Sequence, residues 1–143
     1  MKYLVATDGS DESDDAIRYA ATQAAALDAT LEIVHVLTPE TEVINGEIVL
    51  PGDDQSIELG ERILQRARRL AVDAAADRDV DLPVDTELLA GRPANVIADH
   101  ASDIGADAIY VGHRGLSEER ERVVGSVAKG VVDRATVPVT VIR

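Results

Sequence analysis

The sequence predicts an α/β fold, an open doubly wound sheet of five parallel strands with helices on both faces. Short apolar runs alternate with longer amphipathic stretches along the whole 143-residue chain. Strict alternation of strands and helices favours a parallel sheet covered on both faces. The chain has no Phe, Trp or Cys and only three Tyr, so Val, Ile, Leu and Ala must fill the core. Such residues suit strands buried on both faces. The length fits one domain, which we expect to span residues 1–143.

The first half of the chain predicts two strands and two helices. The first three elements are, in order, a strand at residues 3–6, a helix at 10–27 and a strand at 31–36. Residues 38–55 are polar and interrupted by Pro and Gly, so we expect a long loop there. Residues 56–77 carry the strongest helical pattern, and Ser56 is suited to cap the start of this helix.

The second half predicts three more strands and two more helices. A third strand at 84–89 precedes Gly91-Arg92-Pro93, where the proline suits the start of a helix. The remaining elements are a strand at 108–111, a short helix at 126–134 and a strand at 139–142. Right-handed crossovers then leave a few doubly wound topologies. Ligands of such sheets bind beyond the carboxyl ends of the strands, where the winding direction reverses. The residues that directly follow each strand are therefore the candidate functional residues.

The charge balance limits the classes of partner. The chain carries 27 acidic and 14 basic residues, a net charge of −13, and only two of the bases, Lys2 and Lys129, are lysines. Such a surface repels nucleic-acid phosphates and anionic membranes, so we expect neither as a partner. An ordinary acidic protein has this balance, and so does a protein adapted to high salt, as in a halophile. We favour the second interpretation.

Cysteine and hydropathy patterns limit the chemistry and the compartment. With no cysteine, the chain has no disulfide, no thiolate nucleophile and no Cys-based metal site. No apolar run approaches the ~20 residues of a membrane span. The start of the chain turns polar at Thr7-Asp8, too early for a signal peptide. We therefore expect a cytoplasmic protein.

Polar residues follow the first predicted strand. Asp8 lies in Thr7-Asp8-Gly9-Ser10, where it is either a turn residue or a polar anchor for a ligand at the sheet edge. The next helix opens with several acidic residues, which suit the positive end of its dipole. The same acids make this helix start a poor host for a phosphate.

A glycine pattern follows the fourth predicted strand. Gly112-His113-Arg114-Gly115 is separated by nine residues from Gly125-Ser126, which opens the last helix. Glycines let backbone N–H groups approach an oxyanion closely, and this helix has no acid in its first turn. Ordinary turn and cap chemistry accounts for the same glycines. Their position after a strand of a doubly wound sheet favours a phosphate site.

The ordered motifs resemble the universal stress protein family along the whole chain. The resemblance rests on residues 4–10, 34–36 and 91–93, on the Gly112 to Ser126 pattern, and on the ending Val137-Pro138-Val139-Thr140-Val141-Ile142-Arg143. It implies an adenine nucleotide alpha hydrolase-like sheet with strand order 3-2-1-4-5. It also implies a regulatory protein of the stress response that binds ATP, or AMP, between the first and fourth strands, with Mg²⁺ or Mn²⁺ on the phosphates.

The resemblance also implies which residues form the site. Asp8 approaches the ribose or the metal-phosphate region, Val36 meets the adenine, and the other residues line the pocket or surround ribose and phosphates. The implied set is Ala6, Thr7, Asp8, Val36, Val111, Gly112, Arg114, Gly115, Gly125, Ser126 and Val127. In the implied order the last strand lies at a sheet edge. Its apolar residues Val139 and Val141 favour a homodimer through that edge.

Other functions stay open at this stage. A weak ATP hydrolase has only His113 or Asp8 as a base, and the chain has no P-loop Gly-Lys-Ser/Thr. We expect no enzyme. A phosphate-receiving domain fails because no aspartate ends the third strand. A nucleotide-free homodimeric scaffold remains an alternative, because the stretch 116–124 is unusually charged. The other two histidines, His35 and His100, are expected to be partly buried and not to form a metal cage.

Overall fold

The computed structural model describes residues 1–38, 42–44, 47–49, 54–113 and 124–143. Within these ranges the strands are β1 (Lys2–Ala6), β2 (Thr30–Leu37), β3 (Glu42–Ile44), β4 (Glu47–Val49), β5 (Val84–Ala90), β6 (Ala108–Gly112) and β7 (Val139–Ile142). The helices are α1 (Asp11–Ala26), α2 (Asp54–Ala76), α3 (Pro93–Asp103) and α4 (Ser126–Arg134). None of the described helices is long and apolar enough to cross a membrane.

Five strands form one sheet in the order β5-β2-β1-β6-β7, and every neighbouring pair is parallel. Counted along the chain within this sheet, the order is 3-2-1-4-5, which confirms the expected fold class. From β1 the chain moves outward through β2 to β5, then returns to the other side of β1 for β6 and β7. The winding direction therefore reverses between β1 and β6.

Local sequence explains where α1 and α3 begin. The side chain of Ser10 caps α1 by accepting a hydrogen bond of 3.2 Å from the backbone N–H of Ser13. Gly9 precedes the cap with φ of 84°, a conformation that glycine adopts without strain. Pro93 opens α3, where its fixed φ fits the first turn and its missing N–H costs no helical hydrogen bond.

Alternating side chains of the strands supply two cores, one on each face of the sheet. Val5 and Ile33 pack with α1 and α2, whereas Leu4, Val34 and Ile109 pack with α3 and α4. Neighbouring residues of β1 thus point to opposite faces, as the period of a strand requires. The helices contribute mostly alanines to the first core, at positions 16, 20, 21, 24, 67, 71 and 75. Small side chains there let the helices approach the sheet closely.

The segment between β2 and α2 differs from the prediction. The long loop expected at 38–55 contains an antiparallel hairpin, in which Glu42 pairs with Val49 and Ile44 with Glu47. This pairing leaves Asn45-Gly46 between the strands, and that dipeptide between alternating residues is a strong hairpin signal. The predicted cap at Ser56 is also wrong, because α2 begins at Asp54 and Ser56 lies buried inside the helix.

The two histidines outside the glycine pattern are partly buried, as predicted. His35 lies on β2, and the Nδ1 atom of its ring is 2.8 Å from the carbonyl oxygen of Thr7. His100 lies near the end of α3, and its Nε2 contacts the buried carboxylate of Glu32 on β2. Each imidazole therefore joins two elements of the fold. The described residues contain no group of three or more His, Cys, Asp or Glu side chains that could hold a metal ion.

Candidate functional site

The candidate site lies where the carboxyl ends of β1 and β6 meet, at the reversal of winding. Val5 pairs with Tyr110, so the residues that follow each strand emerge side by side. On the other side of β1, the backbone N–H of Thr7 donates to the carbonyl of Val34 at 2.9 Å. This bond extends the contact between β1 and β2 to the first residue past β1. The geometry is that of a ligand site in a doubly wound sheet.

The apolar residues of the predicted site share one face of the sheet. Ala6 and Val36 pack against the core beneath α3 and α4, and Val111 belongs to that core with only 3% of its surface exposed. Leu89, the register partner of Val36 on β5, packs on the same face and extends this apolar surface. The sequence reasoning missed Leu89. The sequence signal for Leu89 is the alternation of side chains along the third predicted strand, which determines the face on which Leu89 lies.

The turn from β1 into α1 is held by its own side chains. The hydroxyl of Thr7 accepts a hydrogen bond of 3.1 Å from the N–H of Gly9 and lies 3.0 Å from the hydroxyl of Ser13. The Oδ1 of Asp8 accepts from the N–H of Ser10 at 2.9 Å. Thr7 is buried, so it shapes the site through the backbone that it holds. Asp8 therefore stabilises the turn through its Oδ1.

An ion pair between a nearly buried carboxylate and a half-exposed guanidinium lies just beyond this turn. Asp14, in the first turn of α1, has only 5% of its side chain exposed, and it receives two hydrogen bonds from the guanidinium of Arg66 on α2. The bond from Nη1 to Oδ1 is 3.0 Å long. Hydrogen bonding to this carboxylate is the main reason that the pKa of Arg66 is raised above its ordinary value. The pair fixes α2 against the start of α1.

Packing favours glycine at position 112. A Cβ added to it would lie 3.1 Å from the backbone carbonyl of Glu12 and 3.2 Å from the N–H nitrogen of Ser13. These contacts are tight and involve backbone atoms, so a larger residue would require β6 or the first turn of α1 to shift by a few tenths of an ångström. That turn carries Asp11, Glu12 and Asp14. The first glycine of the pattern therefore has a structural reason independent of any ligand.

The backbone of His113 joins the end of β6 to β7 and to the start of α4. Its N–H donates to the carbonyl of Ile142 at 2.6 Å, and its own carbonyl accepts from the N–H of Gly125 at 2.7 Å. The residue is 6% exposed. The start of α4 is thereby fixed directly beside the end of β6. Two members of the predicted site, Arg114 and Gly115, lie outside the described residues.

The start of α4 has the electrostatics that the sequence predicted. Gly125 is the N-cap, with φ −64° and ψ 160°, no side chain caps the helix, and its first turn contains no acid. These dihedral angles are open to every residue, so backbone conformation does not explain the glycine. Ser126 and Val127 are exposed. The start of α3 is also free of acid, and its N-cap is the cation Arg92.

Together these elements define the class of molecule: a doubly wound α/β protein whose candidate ligand site combines an apolar sheet face with an acid-free helix start. Residues 1–143 match the model of the universal stress protein family. The chain belongs to this family.

Two curated relatives match along almost their whole length. The chain is 34% identical to universal stress protein YxiE of Bacillus subtilis over 151 residues, which cover 99% of this chain and 98% of the relative. It is also 34% identical to a universal stress protein of Thermus aquaticus, with 98% of this chain and 96% of the relative covered. The resemblance drawn from the motifs is thereby confirmed.

Solved structures of the family share the fold. One is a universal stress protein in complex with cAMP, with a TM-score of 0.74, 27% identity and coverage of 100% of this chain and 96% of that one. Another is the protein from Archaeoglobus fulgidus in complex with dAMP, with a TM-score of 0.75, 25% identity and coverage of 100% and 98%. Both of these structures are complexes with an adenine nucleotide.

Proposed function

We propose that this chain is a regulatory protein that binds an adenine nucleotide at the carboxyl ends of β1 and β6. The observation that carries the proposal is the helix start of α4, which is free of acid and side-chain caps and is fixed beside β6 by the bond from Gly125 to His113. Phosphates are favoured there by the helix dipole and the backbone N–H groups. The base lies against the apolar face of Ala6, Val36 and Val111.

The relatives support this ligand class, because two of them bind cAMP and dAMP. We propose ATP as the working ligand, with AMP as the alternative, and Mg²⁺ or Mn²⁺ bound through the phosphates. Asp8 is the acidic side chain at the end of β1, and it would contribute a carboxylate to that metal. Arg114, Gly115, Ser126 and Val127 complete the proposed ribose and phosphate contacts. The glycine segment then serves as the phosphate-binding element.

Isothermal titration tests the site. Wild type should bind Mg-ATP in molar KCl, and Ser126→Ala should weaken binding by up to about tenfold through the loss of a hydroxyl contact. Gly125→Ala keeps an allowed backbone conformation, so a loss of about tenfold or more would report obstruction of the ligand. Ser102→Ala, in the last turn of α3, is the matched control and should leave the affinity unchanged.

Two results would redirect the proposal. Unchanged affinity in Gly125→Ala and Ser126→Ala would move the phosphate site away from α4. Absence of adenylate binding by the wild type would favour the homodimeric scaffold. We expect negligible turnover, since among the described residues of the site the candidate bases are the buried His113 and Asp8, which stabilises a turn. Steady release of phosphate near the ~10 s⁻¹ median of enzymes would identify a hydrolase instead.

We further propose a cytoplasmic homodimer of single-domain subunits that joins through β7. This strand is at the edge of the sheet. Tyr19 of α1, which contacts Tyr110 on β6, and Val132 of α4 are 45% and 50% exposed. Gly130 of α4 meets Ala94 of α3, so Val132, two residues on, faces away from α3. Exposed apolar residues thus lie on α1 and α4, the helices that contact β7 from the two faces of the sheet.

A further inference from the structure

The ring of His35 reaches the candidate site from the opposite face of the sheet. It lies beneath α2, where a Cβ added to Gly60 would be 3.3 Å from its Cδ2 atom. Its Nδ1 is 2.8 Å from the carbonyl oxygen of Thr7. The apolar residues of the site, by contrast, pack on the face of α3 and α4. His35 therefore contacts the backbone that follows β1 and not the proposed ligand surface.

The partner atom determines the tautomer of this histidine. A carbonyl oxygen can only accept a hydrogen bond, so Nδ1 of His35 must carry the proton. The donor is present in the neutral Nδ1–H tautomer and in the imidazolium. The bond to Thr7 is therefore maintained whether or not the ring takes a second proton.

The peptide that accepts this bond is the one that leads into Asp8. The N–H of Thr7 is held by Val34, and its hydroxyl is held by Gly9 and Ser13. The bond from His35 to the carbonyl of Thr7 fixes the remaining polar atom of this residue. With every polar atom of Thr7 bonded, the plane of the following peptide has one orientation. That orientation sets the direction in which Asp8 leaves the sheet.

We propose that His35 is a positioning residue of the nucleotide site, which orients the Thr7–Asp8 peptide through its Nδ1–H. This inference rests on the adenine-nucleotide site proposed above. In that site, correct placement of Asp8 and of the adjoining backbone determines the fit of ribose and phosphates. A hydrogen bond from the far face holds this placement without occupying space on the ligand side.

Two substitutions separate the hydrogen bond from the packing of the ring. His35→Asn carries an amide nitrogen on Cγ, where Nδ1 was, and can still donate to Thr7. His35→Leu fills a half-buried strand position but has no donor. We expect His35→Leu to weaken Mg-ATP binding by about tenfold and His35→Asn to recover most of the affinity. Leu88→Ala removes packing beside Gly60 and is the control: it should lower the melting temperature without changing the affinity.

NMR gives a readout that altered packing alone would not move. The ¹⁵N shifts of the His35 ring should show a protonated Nδ1 at neutral pH. The amide signal of Asp8 should shift in ligand-free His35→Leu and stay near its wild-type position in His35→Asn and Leu88→Ala. Wild type that binds no adenylate would remove the proposed function, and the Asp8 amide would then still decide the bond itself. Wild-type affinity in His35→Leu, or an Nε2–H tautomer, would overturn the positioning role.

Discussion

At the scale of single residues, the ion pair of Asp14 and Arg66 joins two side chains of very different burial. Asp14 is a nearly buried carboxylate, whereas the side chain of Arg66 is 49% exposed. A buried charge that loses its partner retains its desolvation cost, and partial access of water at Arg66 reduces that cost. Removal of Arg66 therefore leaves a buried carboxylate without its partner, whereas removal of Asp14 leaves a guanidinium that water can solvate.

Removal of the guanidinium should destabilise the protein. We expect Arg66→Met to lower the free energy of unfolding by about 1–2 kcal/mol, because Asp14 is left buried without its ionic partner. The measurement is urea denaturation followed by circular dichroism. Arg62→Met is the matched control, since Arg62 pairs with exposed Glu58, and it should change stability by less than about 0.5 kcal/mol. Equal effects of the two substitutions would show that the burial of Asp14 does not contribute to the change in the free energy of unfolding.

Tyr110 provides a second residue-scale prediction, which concerns alkaline pH. Burial raises the pKa of its phenol above the ordinary value, because the phenolate is poorly solvated between Tyr3 and Tyr19. The folded state then holds this proton more tightly than the unfolded chain. The contribution to stability is fully present below the ordinary pKa of about 10 and is lost as the pH rises through the folded-state value.

Replacement of this phenol should flatten the alkaline limb of the stability profile. We expect the melting temperature of Tyr110→Phe to fall less between pH 9 and pH 11 than that of the wild type. Tyr19→Phe, at an exposed position of the same cluster, should follow the wild type. A wild-type profile in Tyr110→Phe would mean that the buried phenol does not titrate with unfolding.

At the scale of elements, β7 carries the prediction about assembly. Its outer edge has no neighbouring strand in the described sheet, and the helices that contact it, α1 and α4, carry the exposed residues Tyr19 and Val132. An unprotected edge of this kind pairs readily with another chain. We expect the wild type to be a dimer at micromolar concentration by light scattering, with Val132→Lys or Tyr19→Lys shifting it to monomer. Val72→Lys, on the exposed face of α2, should leave the dimer intact. A monomeric wild type would refute the proposal.

The elements also show what the sequence could and could not predict. The five main strands and four helices follow from apolar periodicity, because each buries one face or both against a neighbour. The hairpin β3–β4 was not predicted, because the Pro and Gly residues around it indicated a long loop. Asn45-Gly46 is nevertheless a turn signal. The start of α2 was misplaced because Ser56 looked like a cap. It is in fact a buried residue of the first helical turn.

The candidate site was predictable in position and less so in detail. The rule for doubly wound sheets predicts its position, and the described residues of the family pattern lie on or just after β1, β2 and β6 and at the start of α4. Arg114 and Gly115 lie outside the described residues. The bond from His35 to Thr7 and the contact of Gly112 with Glu12 were not predictable. They depend on the distance between elements far apart in sequence, which a local pattern does not contain.

At the scale of the whole molecule, the net charge of −13 governs the response to salt. Repulsion among carboxylates acts over ~30 Å at 0.01 M ionic strength and over ~3 Å at 1 M. We expect the melting temperature to rise between 0.01 M and 1 M KCl, because screening relieves the compact state more than the expanded chain. Differential scanning calorimetry at several KCl concentrations measures this. A flat or falling melting temperature would remove the argument for adaptation to high salt.

The bond between His113 and Gly125 has a consequence for the segment that separates these two residues in the chain. It ties together the two ends of an eleven-residue segment, 114–124, at 2.7 Å, so the sheet does not depend on the length of what lies between. In polymer terms, doubling such a loop costs only about 0.6 kcal/mol of closure entropy. Natural insertions, or a peptide grafted by an engineer, should therefore be accommodated here with the melting temperature shifted by only a few degrees. We therefore expect the length and sequence of this segment to be open to change without loss of the fold.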